Sequence, residues 1–82
     1  MQPMTLKDAK TIIAFADASM NVSLAAHAVC LDPVSFSREL DIIRVRYDIN
    51  PRNFYGLHRL LEMAVDCIAD NKTEKEKDNG NR

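Results

Sequence analysis

Seven side chains of this sequence are candidates for contact with a nucleic acid: Ser35, Ser37, Arg38, Arg44, Arg46, Arg52 and Arg59. An arginine fork matches a guanine edge or a phosphate, and a serine hydroxyl reaches phosphate oxygens. Arg38 sits about 200 degrees round a helix from Phe36, so it projects away from any core that Phe36 joins. It is the base-edge candidate, with Ser35 and Ser37 at phosphates and the four other arginines flanking a groove and neutralising backbone charge. The competing reading pairs the same arginines with Glu39, Asp41 and Asp48 on a solvated face. Zinc-ligand types also occur, as His27, Cys30, His58 and Cys67. His58 and Cys67 do not share a helical face and no Cys-x-x-Cys is present, so neither a metal site nor a cofactor is expected. Ser35 and Ser37 lack an adjacent base and acid, and no glycine-rich phosphate loop occurs, so no enzyme is expected.

Two apolar sets suggest contact with other proteins. Val34, Ile42 and Val45 surround Arg38 on the outward side of its helix, forming a candidate patch for a protein partner. Further along, Leu60, Met63 and Cys67 follow Gly56 at spacings of four, three and four, on a different side from Leu57, Leu61 and Ile68. A helix apolar on two sides is either deeply buried or paired with another chain, and the Leu60, Met63 and Cys67 stripe is the expected homodimer surface. The alternative is that the first helix wraps both sides.

The elements that must position these residues follow from spacing and caps. Leu6, Ala9, Ile13, Ala16 and Met20, joined by Ile12 and Phe15, repeat at the helical period, and Thr5 with Asp8 resembles a capping box, predicting a helix from about Leu6 to Ser19. Asn21 caps a short second helix over Val22 to Val29, with Leu24, Ala25, Ala28 and Val29 as its expected buried side. Asp32 and Pro33 open a third helix whose stripe is Phe36, Leu40, Ile43 and Tyr47. Asn50 and Pro51 repeat that device before a fourth, through Phe54, Leu57, Leu61, Ala64, Val65 and Ile68. The brief link of Cys30, Leu31 and Asp32 between the second and third helices indicates a helix-turn-helix.

Composition bounds the rest. Eighty-two residues suffice for one small domain, and two glycines and three prolines are too few for the turns of an all-β chain. From Asp70 onward no residue is apolar, so residues 70–82 are expected to form a disordered charged tail after a folded domain over 1–69. Formal charge is −1 overall. Residues 1–69 keep seven Lys and Arg against eight Asp and Glu, so the tail masks no basic domain. Absence of a signal peptide, of an apolar run long enough for a bilayer and of paired cysteines points to a cytoplasmic location with no membrane contact.

From Asn21 to Arg44 the order of residue types resembles the C-terminal helix-turn-helix of PucR-type transcriptional regulators: Asn21 as polar cap, Ala25 with Ala26, Val29, Leu31 in the turn, then Leu40 and Ile43. Asp48 to Tyr55 with Leu57, Leu60 and Leu61 looks like the closing helix of small stand-alone relatives. A weaker resemblance, through Ala25, Ala26, Ser37 and Arg38, is to the N-terminal domain of LysR-type regulators, whose wing is missing here. Helix spacing gives an all-α bundle of about four helices, the Leu60, Met63 and Cys67 stripe a homodimer, and the PucR likeness implies that it binds double-stranded DNA with its third helix in the major groove. Where that family carries His-Arg-Asn-Thr, this chain has Asp32, Pro33, Val34 and Ser35, and only Ser35 keeps its type. That departure supports the alternative of a degenerate scaffold serving as a protein-interaction or dimerisation module.

Overall fold

The structure is a computed structural model that describes the backbone of residues 4–80 and the side chains of residues 4–70. It is all-helical, with no strand among the described residues: α1 Leu6–Asp17, α2 Val22–Ala28, α3 Pro33–Tyr47 and α4 Phe54–Gly80. Three of the four N-termini are closed as their sequences dictate. Thr5 Oγ1 accepts from the Asp8 amide at 3.1 Å, Asn21 Oδ1 from the Leu24 amide at 3.1 Å, and Asp32 Oδ2 from the Ser35 amide at 3.0 Å. Each satisfies one of the donors that a helix start leaves without a partner.

The first two helices end in the same motif, although neither has a glycine there. After α1 the Met20 amide donates to the Phe15 carbonyl and the Ser19 amide to Ala16; after α2 the Leu31 amide donates to Ala26 and the Cys30 amide to His27. These paired bonds are the Schellman arrangement, which places its central residue in the left-handed region. Ser19 takes φ 54° and Cys30 φ 60°, as do Met20 at 67° and Asp48 at 55° beyond α3. The α1 motif stops the helix at Asp17, short of the expected Ser19.

α1 is the hub. It packs on α2, α3 and α4, and α2 packs on α3, whereas α4 has no backbone neighbour but α1 among the described helices. Its Ala9, Ile12 and Phe15 are buried together with Ala25 and Ala26 of α2, Phe36, Leu40 and Ile43 of α3, and Leu57, Leu60 and Ala64 of α4. Phe15 and Phe36 meet at 6.0 Å between ring centres, tilted by 42°, a favourable aromatic geometry that joins α1 to α3. The expected α3 stripe is therefore its core face, with Tyr47 half-buried at its end.

Three details differ from expectation. On α2 the buried pair is Ala25 and Ala26, where the helix lies against α1 and α3, while Leu24 is 61% exposed and Ala28 is exposed. α4 begins at Phe54, capped by Asn53, whose Oδ1 accepts from the Tyr55 and Gly56 amides; Asn50 instead makes a turn, its Oδ1 accepting from the Arg52 amide around the buried Pro51. Finally, Leu60 is fully buried and Met63 and Cys67 pack half-buried against the same core, with Cys67 Sγ donating to the Met4 carbonyl at 3.2 Å. The stripe expected at a homodimer surface is thus the side that α1 covers, and Phe54 and Val65 of the same helix are exposed. α4 continues helically to Gly80, and the expected disordered tail 70–82 falls, beyond Asp70, on residues whose side chains lie outside the described set.

Gly56 has a specific requirement. A Cβ there would lie 2.1 Å from the Asn50 carbonyl oxygen and 3.3 Å from Ile49 Cγ2, so the loop from α3 can close onto α4 only over a bare α-carbon. Gly56→Ala must displace backbone, and it should lower the urea unfolding free energy by about 1–3 kcal/mol despite the better helix propensity of alanine.

Candidate nucleic-acid interface

Outside its buried stripe, α3 turns Val34, Arg38, Asp41, Ile42 and Val45 to solvent. The α2 Schellman turn and the Asp32 cap fix where that face starts. Asp32 accepts twice from Ser35, at the amide and at the hydroxyl, the latter 2.6 Å, and these bonds lower its pKa below 3.8. The hydroxyl of Ser35 is thereby directed to its own cap. Asp32 remains ionised at neutral pH, placing a negative charge at the start of the exposed face.

The other acids near this face are paired by cations from elsewhere in the fold. Arg52, in the α3–α4 loop, reaches Asp41 Oδ1 at 2.7 Å and donates to the Ser37 hydroxyl at 2.7 Å and the Ser37 carbonyl at 3.3 Å. Lys7 of α1 lies 3.4 Å from Glu39. Such exposed pairs contribute little stability, but they offset two carboxylates on α3. Arg38 and Arg44 have no ion-pair partner among the described residues, and both are exposed. The face therefore holds one free guanidinium, Arg38, with Arg44 free on its flank; Glu39 and Asp41 are offset, while Asp32 has no cationic partner among the described residues. That offset was not legible in the sequence, because Lys7 and Arg52 come from other elements.

Of the seven nucleic-acid candidates, α3 carries Ser35, Ser37, Arg38, Arg44 and Arg46, the loop brings Arg52 to Ser37, and Arg59 is exposed on α4, which packs on α1 and not on α3. Arg46 has an inward role. Its Nη1 donates to Asp8 Oδ2 at 2.5 Å, and the Tyr47 hydroxyl donates to the same oxygen at 2.7 Å while accepting from the Thr5 amide at 3.3 Å. Asp8 is 1% exposed, so this network supplies partners to a carboxylate that would otherwise be costly to bury. It raises the Arg46 pKa, through the hydrogen bond first and charge second. Among the partner candidates, Val34 is 68% exposed, Val45 77% and Ile42 39%, so this patch is open to solvent. No group of three metal-ligating side chains occurs among the described residues. Comparison with protein-family models, curated proteins and solved structures finds no match.

Two outcomes follow from the Asp8 network. Asp8→Ala leaves the Tyr47 hydroxyl and Arg46 without their acceptor and should cost about 2–4 kcal/mol in urea unfolding, whereas Tyr47→Phe should cost about 1 kcal/mol. Burial first, then the Asp8 carboxylate, raises the Tyr47 pKa above 10.0. A raised folded value gives a contribution complete below the unfolded value of 10.0 and lost as pH rises through the folded one. The stability gap between wild type and Tyr47→Phe should accordingly narrow above about pH 10 and stay constant from about pH 7 to about pH 9.

Proposed function

We propose that the chain is a small helix-turn-helix regulator that binds double-stranded DNA, with α3 presented to the major groove and α2 bracing it. The observation that supports this most is the state of α3's outward face, where Arg38 stands exposed and unpaired among the described residues while Glu39 and Asp41 are offset by Lys7 and Arg52. The residue order from Asn21 to Arg44 that resembles PucR-type regulators points the same way. On this reading Arg38 contacts base edges, Arg44 a phosphate on the flank of the groove, and Ser37 and Arg52 approach the backbone as a hydrogen-bonded unit. Binding as a homodimer would double these contacts across a two-fold operator. Since the Leu60, Met63 and Cys67 side of α4 is covered by α1, a dimer would form through another surface.

A second reading is favoured by the exposure of Val34, Ile42 and Val45 around Arg38. Three apolar side chains on one solvent face suit a protein surface better than a phosphate backbone, and the reading makes α3 an interaction helix on a scaffold that no longer reads sequence.

A salt series with labelled duplex separates them. For a DNA binder, log affinity falls linearly with log salt, and Arg38→Ala weakens binding by roughly tenfold. Absence of duplex binding at about 50 mM salt would exclude the first reading. Under the second, Val45→Asp leaves the fold intact and removes the partner contact.

A further inference from the structure

We propose that the groove between the end of α1 and the outer side of α4 receives an amphipathic helix rich in lysine and arginine, supplied by another protein. Its floor is apolar: Ala16 and Met20 on the α1 side, Phe54, Leu57 and Leu61 on α4, with His58 between. His58 and Leu61 also line an adjoining depression with Glu62, Val65 and Asp66, so the two form one track along α4. From Phe54 to Val65 the track covers about three helical turns, roughly 17 Å, which exceeds the roughly 10 Å over which a docked helix places anchors at i, i+4 and i+7. Phe54 is 73% and Val65 54% exposed, although both lie beside a packed core.

Charge identifies the occupant. Glu62 and Asp66 border the track on α4, and neither has an ion-pair partner among the described residues; Arg59, one turn before Glu62 on the outer flank, leaves the edge with two carboxylates against one cation. On α1, Lys10 and Asp17 lie about two turns apart on one face and line a different depression, together with Ile13 and Leu24, so neither adds charge to the track. An apolar track edged by carboxylates complements a helix with leucine-type residues on one side and cations on the flanks. A second copy of the same surface would set Glu62 and Asp66 against their own kind. Residues 71–82 of this chain contain no apolar side chain to lay on the floor.

The test is a backbone-amide NMR titration with two synthetic helix-forming peptides of about 15 residues, both with leucine along one face and differing only in lysine or glutamate elsewhere. The lysine peptide should shift the amides of Ala16, Met20, Leu61 and Val65, and the glutamate peptide should not. Val65→Ser, at an exposed position, should weaken the lysine peptide by roughly tenfold. Joint Glu62→Lys and Asp66→Lys substitution should exchange the preference. Equal binding of the two peptides, shifts confined to another face, or no shifts at all would overturn the proposal. So would a sedimentation result in which the free protein self-associates and Val65→Ser abolishes that association, which would assign the track to a second copy.

Discussion

A carboxylate buried at the first turn of the central helix ties the outward-facing parts of this molecule together. Asp8 lies on the inner side of α1, the one helix in contact with all the others. Without partners its charge would push that turn toward solvent. The end of α3 prevents this by delivering Arg46 and Tyr47 to a single carboxylate oxygen, while Tyr47 also receives the Thr5 amide. The bonds connect residues nearly forty positions apart, so they fix the far end of α3 while Phe15 against Phe36 fixes its beginning. A helix held at both ends presents a constant outer face. The position of Arg38 is set by contacts it does not itself make.

The same arrangement redistributes charge. The domain is close to electrically balanced, yet the balance is not uniform over its surface. Cations from α1 and from the α3–α4 loop lie on the acids of α3, and Arg38 and Arg44 are left free there, whereas Glu62 and Asp66 are left free along the α1–α4 track. Two faces of opposite character arise from one nearly neutral composition, through which residues the fold brings within reach of one another.

Much of the architecture was legible because it is local. Thr5, Asn21 and Asp32 cap where their spacing to the following apolar residues says they must, and Phe36, Leu40 and Ile43 reveal a buried side through period alone. α4 shows where such reading ends. With apolar residues on two sides, periodicity cannot say which side a neighbour will cover, so the side holding Leu60 and Cys67 reads as available although α1 covers it. Asn50 was mistaken for the cap because Asn-Pro is a cap signal at a helix start and equally a turn signal; Asn53 three residues later supplies the bond. The roles of Arg46 and Arg52 were illegible for a simpler reason, since each is defined by a partner on a different element.

The connectors hold a reserve of another kind. Ser19, Met20, Cys30 and Asp48 all adopt left-handed backbone conformations without being glycine. Each such residue gives up on the order of 1 kcal/mol relative to a conformation its β-carbon prefers, against a total of about 5–15 kcal/mol for a domain. The hairpin-like reversals after α1, α2 and α3 are therefore maintained by packing on either side rather than by the turn residues themselves. In evolutionary terms, thermal robustness in this fold is adjustable at three linkers, but Met20 also lines the α1–α4 track and Arg52 also holds Asp41 and Ser37 of α3, so a change in these turns alters the surfaces they border.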